Sequence, residues 1–148
     1  AVQNHYSLLY RSSVDAGIQD YCRSQGIPFF AYMVLEQGAL SGKYSPENPL
    51  PGGSNRAEIY NGMLPRLKAL TDKLASIGQR HGAAVSDVAI AWAIGKGTTP
   101  IVGVTKPRYI DGSVRATSIV LSDDDIAELE TLADAADVNT RAWWEHEM

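Results

Sequence analysis

Phe29-Phe30-Ala31-Tyr32-Met33-Val34 is an uncharged run bounded by Pro28. It is too short for a stable helix and too apolar for a strand with one wet face. Continuous apolar strands belong to parallel sheets covered by helices on both faces. The flanking segments agree. Residues 1–9 read as a strand. Val14, Ile18, Tyr21 and Cys22 then fall at helical spacing, and Gly26 supplies a C-terminal stop. Leu64, Leu67, Leu70, Leu74 and Ile77 mark a helix stopped by Gly82, with Pro65 in its first turn. Ser86 is expected to cap a helix from Asp87 to Gly95, apolar all round and so buried. Pro100–Val104 reads as a third strand, and Pro107–Ala116 as a helix. Ser122 with Asp125 resembles a capping box for a last helix, with Ile126, Leu129, Leu132, Ala133 and Ala136 as its buried stripe. Such alternation predicts a parallel α/β sheet.

Between the second strand and its helix lies a long irregular stretch, 36–62, rich in Gly and Pro. Loops of that length are functional or disordered. The tail, 138–148, carries Trp143-Trp144, which suggests docking onto the body.

Three strands are too few to close a barrel, which takes about eight. The chain also opens directly in a strand, whose edge would be bare. It therefore reads as the back part of a longer protein. Its 148 residues, 45% hydrophobic and 20% charged, suit a single globular unit. A net charge of -4 argues against nucleic acid, although Lys43, Arg56, Lys106 and Arg108 could serve a phosphate ligand. The single Cys22 excludes an internal disulfide, suits a reducing cytoplasm and is expected in a helix core. No apolar run reaches membrane-spanning length.

Ligands of α/β barrels bind where strands end and loops begin. Gln3 offers an amide donor and acceptor, suited to another carboxamide, or is simply packed. Tyr32 offers a flat face, or core. Gly103-Val104-Thr105-Lys106-Pro107 leads into a helix N-terminus, which favours anions, or is a plain turn. Gly38-Ala39-Leu40-Ser41-Gly42-Lys43-Tyr44 could admit a pyrophosphate or be a flexible loop. His5, His81 and His146 are scattered, with no metal-ligand spacing. Asp123-Asp124-Asp125 reads as the acidic first turn of a helix rather than a metal cluster.

Taken in order, these landmarks resemble the C-terminal part of an aldo-keto reductase, an NADP(H)-dependent (β/α)8 TIM barrel. They are Gln3-Asn4-His5-Tyr6-Ser7-Leu8-Leu9, Ala31-Tyr32 through Leu35, Gly38 through Tyr44, Val85-Ser86 through Ala91-Trp92, Pro100 through Pro107, the Leu121-Ser122 helix and Trp144-Glu145-His146-Glu147-Met148. The loop with Ser41-Gly42-Lys43-Tyr44 is most similar to the branch containing potassium-channel β-subunits and related bacterial reductases. The resemblance implies that these are strands six to eight with their helices, and that the chain is a partial barrel. Gln3 would bind the nicotinamide carboxamide and Tyr32 would stack on its ring. Leu35 and Gln37 would follow the ribose and pyrophosphate. Lys43 and Arg56 would belong to a loop, 36–62, folded over the cofactor. Gly103, Thr105 and Lys106 would hold the 2′-phosphoribose, with Tyr109 and Ser113 on the adenine side. Two departures stand out: His5 occupies a position where the family has Glu, and Gly112-Ser113 replaces Glu-Asn.

The family's catalytic Tyr, with its Asp, Lys and His partners, lies in the first half of the barrel, so no residue here is assigned a catalytic role. The intact parent would reduce a small aldehyde or ketone. The isolated chain is expected to be inactive. The alternative is a non-catalytic half-barrel that binds cofactor, self-associates or pairs with a separate N-terminal half.

Overall fold

The computed structural model describes residues 1–141. Three parallel strands form one sheet in the order β1 (Val2–His5), β2 (Phe29–Tyr32), β3 (Thr99–Pro100). Gln3 pairs with Phe30 and His5 with Tyr32, while Phe30 pairs with Thr99. All three strands are shorter than the sequence suggests, and β2 ends at Tyr32 rather than Val34. β1 ends at His5 because the chain folds back on itself, with Ser7 and Tyr10 exchanging backbone hydrogen bonds at 3.1 and 3.3 Å. β3 stops at Pro100. One further bond, from the Ile101 N–H to the Ala31 carbonyl at 2.7 Å, continues its pairing.

β2 also departs from the expectation of burial on both faces. Phe29 and Ala31 are buried, whereas Phe30 and Tyr32 are only half-buried. Helices cover the first face alone. Side chains alternate along a strand, so the other face stays partly open.

The helix expected around Val14–Cys22 is two helices, α1 (Ser12–Asp15) and α2 (Ile18–Ser24). Gly17 separates them at φ 71°, a left-handed conformation that ends one helix and turns the next. The predicted stripe is therefore broken. Cys22 is buried, but Val14 and Tyr21 are exposed. α2 closes on Gly26, whose positive φ lets the Ile27 N–H reach the Cys22 carbonyl at 2.8 Å.

The stretch 36–62 is more ordered than its Gly/Pro content suggests. A 3-10 turn spans Glu36–Gly38, and α3 spans Asn55–Tyr60, capped by Ser54. Asn61 clamps Leu50 from both sides, accepting from its N–H at 2.8 Å and donating to its carbonyl at 3.0 Å. Beneath this stretch Leu50, Ala57, Tyr60, Leu64 and Leu67 form a second small core.

α4 (Leu64–His81), α5 (Val85–Gly95), α6 (Pro107–Ala116) and α7 (Asp123–Ala136) follow the sequence reading closely. All five predicted α4 core residues are buried, and so is the run Val88–Ala93 of α5. Among the α7 stripe, Leu129, Ala133 and Ala136 are buried, with Ile126 and Leu132 packed at the margin. Two cap assignments change. Ala84, not Ser86, precedes α5, and its N–H is satisfied by the Asp87 carboxylate at 3.2 Å. Ser122 does cap α7 by accepting from the Asp125 N–H, but the Asp125 carboxylate turns to Arg80 at 2.6 and 2.7 Å. The main core joins Tyr6, Phe29, Ala31 and Trp92 to α4 and α7. Trp143, Trp144 and most of the predicted tail lie outside the described residues. No helix among the described residues is long and apolar enough to cross a membrane.

Candidate functional site

The C-terminal ends of β2 and β3 open into a cleft of about 850 Å³. One wall is the turn after β2, with Met33, Val34, Leu35, Gln37 and Gly38. The opposite wall is Ile101 to Lys106 and the exposed side of α6. Lys43 and Arg56 reach the rim from the long loop, and the N-terminal turn of α5 closes the base. Of the residues singled out from sequence, Leu35, Gln37, Lys43, Arg56, Gly103, Thr105, Lys106, Tyr109 and Ser113 all line this cleft. Gln3 and Tyr32 do not. They sit on the partly open sheet face, Gln3 exposed and Tyr32 half-buried.

The cleft is strongly basic in an acidic protein. Lys43, Arg56, Lys106, Arg108 and Arg115 line it against one carboxylate, Asp87. That carboxylate is buried and accepts from Arg115 at 2.8 Å. Arg108 donates to the Tyr109 hydroxyl at 3.4 Å and lies over its ring at 5.1 Å. This hydrogen bond holds the Tyr109 phenol below its usual range against the opposing effect of desolvation, with the charges of Arg108, Lys106 and Lys43 acting in the same direction as the bond. The N-terminal turn of α6 has Lys106 before it and no side-chain cap, so its orphan N–H groups face a positively charged neighbourhood. Gly103 has open space where a side chain would stand. Multiple cations, an uncapped helix start and an open glycine loop fit a phosphorylated, polyanionic ligand. They also fit the phosphates of a dinucleotide.

Gly112 explains one departure from the family pattern. A Cβ there would lie 2.6 Å from Asp87 Oδ1. The glycine lets α6 close over α5 so that Asp87 can hold Arg115. Ser113 spends its hydroxyl on the Tyr109 carbonyl at 2.8 Å.

The second departure, His5, leads to a group that the sequence reading missed. Glu36 is fully buried. His5 Nε2 lies 2.9 Å from its Oε1, Tyr60 donates to Oε2 at 2.7 Å, and Thr140 donates to Oε1 at 3.2 Å. Ser7 Oγ is a further donor to Oε1. The available signal was a lone acid directly after the apolar run Phe29–Leu35. A buried carboxylate demands donors, but the sequence does not say which. His5 also stacks on Tyr10, with ring centroids 4.1 Å apart, and on Tyr32 at 5.6 Å. His81 is exposed, and among the described residues no group of three His, Cys, Asp or Glu could hold a metal ion.

The chain is 34% identical over 133 residues to the chloroplastic pyridoxal reductase of Arabidopsis thaliana, covering 90% of this chain and 36% of that protein. It is 29% identical over 145 residues to the aldo-keto reductase str7 of Strobilurus tenacellus, covering 93% and 43%. It thus spans about two fifths of the length of these relatives. Its fold superposes on the glycerol dehydrogenase AKR11B4 of Gluconobacter oxydans with TM-score 0.76 and 19% identity, covering 95% of this chain and 43% of that one. It also superposes on an aldo-keto reductase, AKR2E5, complexed with NADPH, with TM-score 0.59 and 16% identity over 95% and 36%. The α/β fold with its small parallel sheet matches these reductases. Residues 1–134 match the Aldo/keto reductase family, and the chain belongs to it.

Proposed function

We propose that this chain is the cofactor-binding side of an NADP(H)-dependent aldo-keto reductase, comprising strands six to eight of its barrel. The observation that carries this reading is the clustering of Lys43, Arg56, Lys106, Arg108 and Arg115 around one cleft in a chain of net charge -4. NADP(H) would supply hydride. Leu35 and Gln37 are suited to its ribose and pyrophosphate, and Gly103, Thr105 and Lys106 to its 2′-phosphoribose. Lys43 and Arg56 would cover it, while Tyr109 and Ser113 flank the adenine. Gln3 and Tyr32 would orient the nicotinamide from the sheet face. A small carbonyl compound is the proposed substrate of the complete protein, with the proton donor supplied by a preceding half-barrel. The Ser41-Gly42-Lys43-Tyr44 loop supports placement in the potassium-channel β-subunit-like branch.

The test is NADPH titration of the complete protein encoded by the reading frame that carries this chain. Saturable binding is expected, weakened by Lys106→Ala and by Arg56→Ala. The complete protein should reduce 4-nitrobenzaldehyde with NADPH, and the 148-residue chain alone should not. Absence of binding, or binding indifferent to both cations, rejects the reading.

A second reading is a half-barrel module that self-associates. It is favoured by the two-residue β3 and the exposed Ile101 and Val104 beside it. Light scattering of a well-folded monomer would reject it.

A further inference from the structure

The turn that follows β2 is held in an unfavourable backbone. Met33, Glu36 and Gln37 have φ of 61°, 46° and 51°. Side-chain-bearing residues avoid this left-handed region, and such conformations persist only where their surroundings over-determine them. The surroundings here converge on one group. The Glu36 carboxylate collects His5 from β1, Ser7 from the turn after it, Tyr60 from α3, and Thr140 from the segment after α7. Leu35 and Gln37, its two chain neighbours, line the cleft, and the carbonyl of Leu35 accepts from Gly38 at 2.8 Å and Leu40 at 3.2 Å. A buried acid is costly without such donors and strongly anchored with them.

We propose that Glu36 is the positioning residue of the cleft. By gathering donors from four separate segments it holds the turn Met33–Gln37, with left-handed Met33, Glu36 and Gln37, and fixes the wall formed by Leu35 and Gln37. Its consequence for NADPH rests on the proposed function; its consequence for the turn does not. His5 also stacks on Tyr32, so the carboxylate ties the wall to the open sheet face.

Two variants of the complete protein separate the acid from the strain. Glu36→Gln keeps the size and the backbone but turns an acceptor into a donor facing donors. Glu36→Gly relieves the positive φ and removes the acid. Amide hydrogen exchange is read without ligand, and NADPH affinity by nicotinamide fluorescence. Both variants should speed exchange of the Gly38 and Leu40 amides by about tenfold or more while leaving α4 and α5 within about twofold. NADPH should bind about tenfold more weakly. Unchanged exchange in Glu36→Gln overturns the proposal, as does wild-type protection in Glu36→Gly. Equal loosening of α4 and α5 also overturns it, because Glu36 would then serve the fold in general. Should either variant fail to fold, Tyr60→Phe removes a single donor and should loosen the same two amides by about threefold; no loosening overturns the proposal. If the wild type does not bind NADPH but the turn loosens as described, the nicotinamide reading fails and the positioning role stands.

Discussion

The helix-covered face of the sheet and the cleft at its strand ends differ in chemistry and in burial. On the covered face, Phe29 and Ala31 pack into a core with Tyr6 and Trp92, whose rings stack at 5.2 Å. On the opposite face of the sheet, Phe30 and Tyr32 remain half-buried and Gln3 is exposed. The same four-residue strand supplies both, because its side chains alternate. The covered face is apolar and locked by helices. The cleft at the strand ends is basic and built from loops, as expected where binding groups ride on a rigid scaffold. A mutation on the covered side should therefore move stability, and one on the cleft should move binding.

The largest expected effect is on the covered side. Trp92 is fully buried and donates to Glu130 at 3.0 Å. Trp92→Ala should cost about 3–5 kcal/mol, read as a lower urea midpoint. A loss below about 1 kcal/mol would break the comparison. Gly78→Ala comes next. Its Cβ would stand 2.5 Å from the Ala83 carbonyl oxygen, which cannot move without opening the turn that closes α4. A loss of about 2 kcal/mol is expected despite the better helix propensity of alanine, which returns no more than about 1 kcal/mol.

The third test uses pH. Burial pushes the Tyr6 phenol up to about 12, against a smaller lowering effect of Gln19. The folded value lies above the unfolded one near ~10. The resulting stability is present in full below ~10 and is lost as pH rises toward the folded value. Urea midpoints measured across that window should fall, and Tyr6→Phe should remove part of the fall. A Tyr6→Phe profile parallel to the wild type would show that this hydroxyl is not held by the core.

The smallest effect on stability is expected in the cleft. Lys106 is exposed, and Lys106→Ala should change stability by less than about 0.5 kcal/mol. NADPH binding should weaken by about tenfold, as loss of one charge-assisted phosphate contact implies. A large stability loss with unchanged binding would reverse the contrast between the covered face and the cleft.

Much of this fold is legible in the sequence. α4 to α7 carry their instructions locally, in apolar spacing, Pro65 and Pro107 near their starts, Ser122 as a cap and Gly82 as a stop. Nine of the eleven residues that the family resemblance implies for the cofactor line one cleft, because strand ends and the starts of the following helices converge in parallel α/β folds.

Local sequence sets the α/β class, the positions of α4 to α7 and the apolar strand at the centre. Those depend on neighbours a few residues away. The tertiary structure alone stops β1 at His5, limits β3 to two paired residues and turns Tyr21 outward. A ladder lasts only as long as its partner, and Gly17 resets the helical face. It alone also decided the fate of Glu36. The donors to its carboxylate lie 24, 29, 31 and 104 residues away in the chain. No local pattern encodes such a meeting. It follows from packing that closes a polar hub inside an apolar body, where every donor must find its acceptor.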